Sequence, residues 1–591
     1  MRKKSFPILI FESISKYPRR GWKRPKIDIT DSYGNFSDPK EPIPSHRITN
    51  FYFLIIIIVS IFLFRLFYLT VIKGEENRIL SDENRIRLVD IEQERGPILD
   101  RNGKVVADSE RSLLLKSSHK FTKITQNQAN DLEAEGLAGE NFEGELGLIV
   151  EEVKRNYPLS EKAAHLTGYV SGPQEGDTTT GEQVSSVEKI GRLGVEQYYG
   201  NFLRGEVGRK LIEVDSSGKK VTIFGQEEPK IGATVHLTLD SELQKFAYEA
   251  LKKQVEKAQV KKGALIIQNP QTGEVLALVS IPSFDPDNIQ KSQDDSDQPF
   301  FNRAIAGIYP PGSVFKITSA LAGLESGKIT KDTEIEDVGE FNIGETKFSN
   351  WYFLTYGKKD GVLRVERAIA RSNDIFFFRV AERIGLDAIR QMAKKLGFGQ
   401  KTGIDLPGEA YGLLPDEVWK DSTLGEQWFL GDTLHLAIGQ GFMLTTPVQI
   451  NLMTSYMASG KIYKPHIVSK IENLPDNAKP VEIPPKILSE NLTSAENFSV
   501  VRDGMRQACE QGGTAFPFFN SPYRVGCKTG TAEKVLGNPH AWFSAFAPFE
   551  NPQITITVII EDGGEGSSVA APVAREILDW LYNRSQKTMG F

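Results

Sequence analysis

The sequence predicts a mixed α/β (α+β) protein: one membrane-spanning helix, a less regular stalk, and a larger domain of strands and helices. Three observations carry this. An apolar run occupies 51–72, irregular turn-rich sequence follows to about 231, and strands alternate with amphipathic helices from 232 to 591. A chain of 591 residues also exceeds what one core can hold. The formal net charge of -6 gives no whole-chain reason to expect nucleic acid.

Residues 1–50 read as a basic, irregular tail. Nine lysines and arginines face only Glu12 over the first 26 positions, and Pro7, Pro18, Pro25, Pro39, Pro42 and Pro44 argue against a packed fold. Phe51 to Ile72 then supplies 22 residues, which at about 1.5 Å each cross a bilayer of about 30 Å. No small-residue cleavage site follows, so the helix is read as a retained anchor. The positive tail places the N-terminus in the cytoplasm and everything after Ile72 outside. Arg65 interrupts the run, either snorkelling to the interface or facing a membrane partner.

Residues 73–231 contain three recognisable pieces: Arg95 to Gly103, Ala164 to Val170, and Gly194 to Tyr199 with Leu203-Arg204-Gly205. No nucleophile and base pair up here. The region reads as a stalk holding a catalytic domain away from the membrane.

The regular domain, 232–591, opens with an alternating strand at Ala233 to Leu239. Asp240 or Ser241 then caps a helix whose apolar face is Leu243, Phe246, Ala247, Ala250 and Leu251. Strands at Gly263–Ile267 and Val275–Val279 flank a turn at Asn269 to Gly273. The acidic run at Asp294, Asp295 and Asp297 reads as solvated surface. Of the chemistry-bearing types, the two cysteines, Cys509 and Cys527, are spaced so that a bridge is possible, but are read as buried free thiols. The seven histidines lack zinc-enzyme spacing, so neither metal nor cofactor is expected.

Chemistry concentrates at Tyr309-Pro310-Pro311-Gly312-Ser313-Val314-Phe315-Lys316. Prolines and a glycine precede an apolar helix predicted to begin near Ser313, and residues three apart on a helix share a face. A serine becomes a nucleophile when a neighbouring amine takes its proton, which requires a lysine pulled below about 10.4 by burial or a second cation. Other Ser-x-x-Lys copies, at Ser13, Ser117, Ser186 and Ser216, lie in polar or basic surroundings and read as accidents. Ser372-Asn373-Asp374 falls between two apolar helical stretches, as a cleft-facing loop or a helix cap, with the cap favoured on local grounds. Of two Lys-Thr-Gly runs, Lys401 sits in a loop. Lys528-Thr529-Gly530-Thr531 follows a strand-like stretch, which fixes a lysine more rigidly, so Lys528 is chosen.

Ser313-x-x-Lys316, Ser372-x-Asp374 and Lys528-Thr529-Gly530, in that order and on those elements, resemble the penicillin-binding proteins and serine β-lactamases. The pieces between Arg95 and Gly205 look like the stalk of monofunctional, class B penicillin-binding proteins. Gly431-Asp432-Thr433, Gly439-Gln440-Gly441, Thr446-Pro447 and Gly512-Gly513-Thr514-Ala515 look like further landmarks of the family. Asp374, in place of the asparagine usual in division enzymes, resembles the elongation type, penicillin-binding protein 2, and the ending from Gly563 to Arg575 points the same way.

The resemblance implies a central antiparallel sheet flanked by helices on an elongated, β-rich stalk, and a peptidoglycan D,D-transpeptidase that is a β-lactam target. Ser313 would attack the penultimate D-Ala carbonyl of a stem peptide and expel the terminal D-Ala, and an acceptor amine would take the acyl group. Lys316 would be the base, and Ser372 would relay the proton to the leaving amine. Lys528 would lower the Lys316 pKa and, with the Thr529-Gly530-Thr531 stretch, hold the substrate carboxylate. Asp374 would oppose that lowering and orient Lys316. The Ser313 and Thr531 backbone N–H groups would form an oxyanion hole, about 3 kcal/mol per donor in other enzymes. Some relatives carry a Cys/His/Asp metal site near the second motif, but residues 330–365 hold neither Cys nor His, so no zinc is expected. Implied partners are a polytopic membrane glycan polymerase and elongation-complex proteins. The alternatives are a septal division enzyme, a D,D-carboxypeptidase or other hydrolase, and a β-lactam sensor.

Overall fold

A computed structural model describes residues 45–589, apart from 118–119, 136–137, 140–146, 180–181, 215–219, 476–477 and 535. Most of the expected basic tail, residues 1–44, lies outside the described residues, and positions 45–50 are already helical. Residues 1–83 and 84–591 form two units.

In the first unit, helix α1, Ser45–Phe67, continues as a wider turn to Ile72. Its apolar stretch Ile48–Ile72 has a mean hydropathy of 2.7 and buries nothing against protein. A core helix of a soluble domain would bury such a face, so exposed Phe53, Ile57 and Phe62 suit a bilayer. The Arg65 guanidinium lies 5.5 Å from the Tyr68 ring centre.

In the second unit, strands β1, Ile86–Ile91, β2, Ile98–Leu99, β3, Val105–Ser117, and β4, Gly147–Asn156, open the stalk. They are followed by β5, Gly208–Val214, and β6, Lys220–Glu227. Strands β1, β5 and β6 make a three-stranded sheet, and β2, β3 and β4 are neighbours in a larger one. Two of the three stalk landmarks meet, with Arg155 of β4, in a buried ion cluster. Arg95 Nε donates to Glu196 at 2.8 Å, Arg155 Nε donates to its other oxygen at 2.7 Å, and Glu196 is wholly buried. Two guanidiniums hold that carboxyl below its usual range although burial pushes it up.

The alternating strand β7, Thr234–Leu237, pairs in parallel with β2 and antiparallel with Val468–Glu472, so it joins the stalk's larger sheet. Asp240 caps helix α2, Ser241–Lys257, accepting from the Glu242 and Leu243 N–H groups at 3.0 and 3.1 Å. The catalytic sheet is antiparallel: β8, Gly263–Gln268, β9, Val275–Ile281, β10, Gly526–Ala532, β11, His540–Ala547, and β12, Ile554–Ile560, run in the order β9-β8-β12-β11-β10. Both faces are buried, which explains its continuous apolar strands. Leu265, Ile267, Cys527, Phe543 and Val558 pack beneath α2 and Ala571–Met589, while Ile266, Trp542 and Phe546 face the core holding Ser313's helix. Because neighbours on a strand point oppositely, Cys527 inside one core puts Lys528 into the other.

The cysteine expectation needs correction. Cys509 and Cys527 form a disulfide, with Cα atoms 5.9 Å apart. Both sulfurs are buried as expected, but the fold brings together the end of helix Ala495–Ala508 and the start of β10, which 18-residue spacing alone does not reveal.

Candidate active site

The predicted helix start at Ser313 is one turn early. Gly312–Phe315 form a 3-10 turn, and helix α3 runs from Lys316 to Glu325. Gly312 adopts a φ of +55°, and a Cβ there would lie 2.7 Å from the Thr531 carbonyl oxygen. Only glycine lets the nucleophile's turn lie this close to the third motif. Trp542 Nε1 donates to the Pro310 carbonyl at 2.9 Å, and the Gly312 N–H to Gly439 at 2.8 Å, pinning the turn on both sides. Gly439 is thus one of the family-like landmarks with a local task. Ser313 is half-buried, and its hydroxyl makes no hydrogen bond among the described residues.

Lys316 sits at the start of α3, fully buried, with Nζ 2.7 Å from the Ser372 carbonyl, 3.4 Å from Ser372 Oγ and 2.6 Å from Asp374 Oδ1. Lys528, also fully buried on the sheet's edge strand β10, donates to Ser372 Oγ at 2.8 Å and to the Thr529 carbonyl at 2.8 Å. The Ser372 hydroxyl therefore bridges two amines from elements 212 positions apart (316 and 528). The decoy Lys401 instead lies 5.0 Å from the Tyr411 ring centre. The Ser-x-x-Lys copies at Ser13 and Ser216 lie outside the described residues.

Both readings of Ser372-Asn373-Asp374 hold, divided among its residues. Asn373 caps helix α4, Asp374–Lys395, accepting from the Phe376 N–H at 2.9 Å. Ser372 ends helix Val365–Arg371 in the left-handed region at φ 55°, uncommon for a serine, which turns its hydroxyl and carbonyl toward the lysines.

Burial lowers both lysines, but not equally. Lys316 is lowered by burial and held up by the Asp374 carboxylate. Lys528 is driven well below the ordinary lysine value by burial and then by the Lys316 charge, with Asp374 offsetting only part. Charge coupling between the two is seen from Lys316 onto Lys528, with the Asp374 carboxylate beside Lys316.

Several supporting residues were not predicted. Asp374 Oδ2 accepts from the Trp351 N–H at 3.0 Å, and Trp351 Nε1 donates to the Arg371 carbonyl at 3.1 Å. Beneath them Asp337, 2 % exposed, accepts from Gly339 N, Asn350 Nδ2, Asp360 N and Asn373 Nδ2 at 2.8–3.0 Å. Asn350 Oδ1 in turn accepts from the Asp374 N–H at 3.1 Å. Asn373 could have been found as the middle of its motif; the others carry no local signal. On the far wall Thr529 pairs with Thr514 at 2.7 Å, and Gly566 N–H lies 3.4 Å from Thr531 Oγ1. Gly530 is tightly enclosed: a Cβ there would lie 3.0 Å from Val314 and from Trp542.

Residues 263–579 match the family model described as the penicillin binding protein transpeptidase domain, and 116–237 match the penicillin-binding protein dimerisation domain. The peptidoglycan D,D-transpeptidase MrdA of Salmonella typhimurium is 30% identical over 624 aligned positions, covering 93% of this chain and 98% of its own. Among solved structures, penicillin-binding protein 2 of Helicobacter pylori, in a complex with MreC, is 28% identical at a TM-score of 0.69, covering 84% of this chain and 99% of that one. A chain of a peptidoglycan synthase complex is also 28% identical at a TM-score of 0.69, covering 90% and 97%. With the transpeptidase model spanning over half of it and MrdA matching nearly end to end, this chain belongs to the penicillin-binding protein family, as a monofunctional, elongation-type D,D-transpeptidase of the penicillin-binding protein 2 kind.

Proposed function

We propose that Ser313 is the acylated nucleophile of a peptidoglycan cross-linking reaction that serves wall elongation and cell shape. The observation that carries this reading is the Ser372 hydroxyl, shared by Lys528 at 2.8 Å and Lys316 at 3.4 Å, three residues along from Ser313. An anionic stem-peptide carboxylate arriving at Lys528, Thr529 and Thr531 favours the charged form of Lys528. That draws a proton from Lys316 through Ser372 Oγ, leaving Lys316 neutral to take the Ser313 proton as Oγ attacks the penultimate D-Ala carbonyl. Ser372 then carries the proton to the departing D-Ala amine. The Ser313 and Thr531 N–H groups face the developing oxyanion, and Asp374 keeps Lys316 aligned.

Residues 73–231 form the stalk and 232–591 the transpeptidase domain in this reading. Helix α1 crosses the bacterial inner (plasma) membrane once, with the N-terminus cytoplasmic. The basic tail supports that orientation, and so does the Cys509–Cys527 disulfide, since such bonds persist in oxidising compartments outside the cytoplasm. β-Lactams acylate Ser313 as substrate mimics. The partners are a polytopic glycan polymerase and other elongation proteins, in line with the MreC complex of the Helicobacter pylori relative.

Fluorescent penicillin labelling of wild type and Ser313→Ala tests the site, with mass spectrometry of a tryptic digest locating the adduct. Labelling that persists in Ser313→Ala overturns the assignment. Measuring cross-linked dimers against free D-Ala separates transfer from hydrolysis.

A further inference from the structure

The segment after helix Ala495–Ala508 folds back between the second and third motifs. The Ala515 N–H donates to Ala508 at 2.9 Å, closing the loop. Its Gly512 carbonyl accepts from Arg367 at 2.9 Å and from Arg371 at 3.4 Å, both on the helix that ends at Ser372. Its Thr514 hydroxyl meets Thr529 at 2.7 Å. At the loop's root Cys509 is bonded to Cys527. Cys527 and Thr529 are two residues apart and so lie on one face of β10. The same two segments are therefore tied twice, once covalently and once through the threonine pair. Beside the bridge, Ala508, Ala515 and Phe518 pack with Val525 and Cys527 in one core, and the threonine pair is the polar contact that fixes the Thr529 hydroxyl on this edge strand.

We propose that the Cys509–Cys527 disulfide is a positioning bond for substrate recognition. It holds Thr514 against Thr529 so that the Thr529 hydroxyl is aimed at the substrate carboxylate, which makes binding dependent on oxidation of this cysteine pair. The inference rests on the reading of Thr529 and Thr531 as carboxylate-holding residues. The bond forms by thiol–disulfide exchange with an extracytoplasmic protein disulfide. The two cysteine sulfurs join, and the exchange partner takes up two electrons and two protons and leaves as the dithiol. Lys316, Ser372 and Lys528 are held by other contacts, so the reacting groups keep their geometry when the bridge is absent.

The test uses the full chain in detergent and resolves penicillin labelling into non-covalent binding and the acylation step. Wild type denatured without reductant shows no free thiol, whereas two free thiols overturn the proposal. Cys509→Ala/Cys527→Ala binds penicillin about tenfold more weakly, the value of one lost hydrogen bond, with the acylation step unchanged. Unchanged binding, or a loss confined to the acylation step, overturns it, whatever happens to the melting temperature. Should the double variant fail to melt cooperatively, Thr514→Val with the bridge intact must show the same weakened binding, and wild-type binding there overturns the proposal. A wild type that carries no adduct at Ser313 brings down the site reading and this inference together, while an adduct with unaltered binding in the variants brings down this inference alone.

Discussion

Asp374 takes the Lys316 ammonium on one carboxylate oxygen at 2.6 Å and the Trp351 N–H on the other at 3.0 Å. The carboxylate therefore fixes where Lys316 points and raises its hold on a proton against the effect of burial. Asp374→Asn keeps the shape and removes the charge. Penicillin acylation is expected to fall about tenfold or more, the usual cost of losing a charge-assisted hydrogen bond. The acid limb of the rate–pH profile should move to lower pH, because the anion that raises both lysines is gone. Stopped-flow acylation across pH checks both, and a limb displaced upward contradicts the assignment.

The lysine pair sets the sign of the wild-type profile. Attack needs one neutral amine, and both lysines lie below 10.5 in the folded protein. Acylation should therefore rise with pH and level off before ordinary lysines titrate. Lys528→Met leaves Lys316 with Asp374 and no amine to receive its proton. The rate falls steeply and the limb moves up. A limb at its wild-type position in this variant would show that the two amines do not share a proton.

Asp337 carries no chemistry yet supports the second motif. Its carboxylate orients Asn350 and Asn373, whose amide oxygens take the N–H groups of Asp374 and Phe376. Asp337→Asn sets an amide against several buried donors and is expected to cost about 3 kcal/mol. Thermal unfolding should shift down and acylation should weaken. An unchanged melt together with normal labelling would remove Asp337 from this role.

His165 of the stalk is buried against the Pro299 carbonyl at 2.7 Å, on the segment leading to Ser313. Burial lowers its pKa from 6.5 to about 4. Between those values the unfolded chain binds the proton and the folded one does not, so stability is full above 6.5 and falls as pH drops toward 4. The loss should be on the order of 3 kcal/mol. Urea unfolding of wild type and His165→Gln at pH 7 and pH 4.5 checks this, the variant showing less acid sensitivity.

Part of this molecule could be read locally. The apolar length of α1, the Asp240 cap, the alternation of β8 and β9 and the turn between them are properties of a few neighbouring residues. The motifs holding Ser313, Lys316, Ser372, Asp374 and Lys528 were visible in one dimension through their spacing and order, and the fold brings Lys316, Ser372, Asp374 and Lys528 into one cluster. Other features depend on contacts between distant segments. Thr234–Leu237 reads as any alternating strand, and Ile98, the register partner of Val235, lies 137 positions before it (235 − 98). Asp337 resembles many loop aspartates until Asn350, Asp360 and Asn373 close over it.

Residue types and their order along the chain single out candidate reacting groups, because a hydroxyl three positions before an amine on a helical turn is a local fact. The folded molecule settles which lysine meets a carboxylate and that the two cysteines meet each other. Both outcomes depend on burial and on charges or sulfurs delivered from far along the chain, and burial is a sum over neighbours that do not exist until the sheet and helices have closed around them.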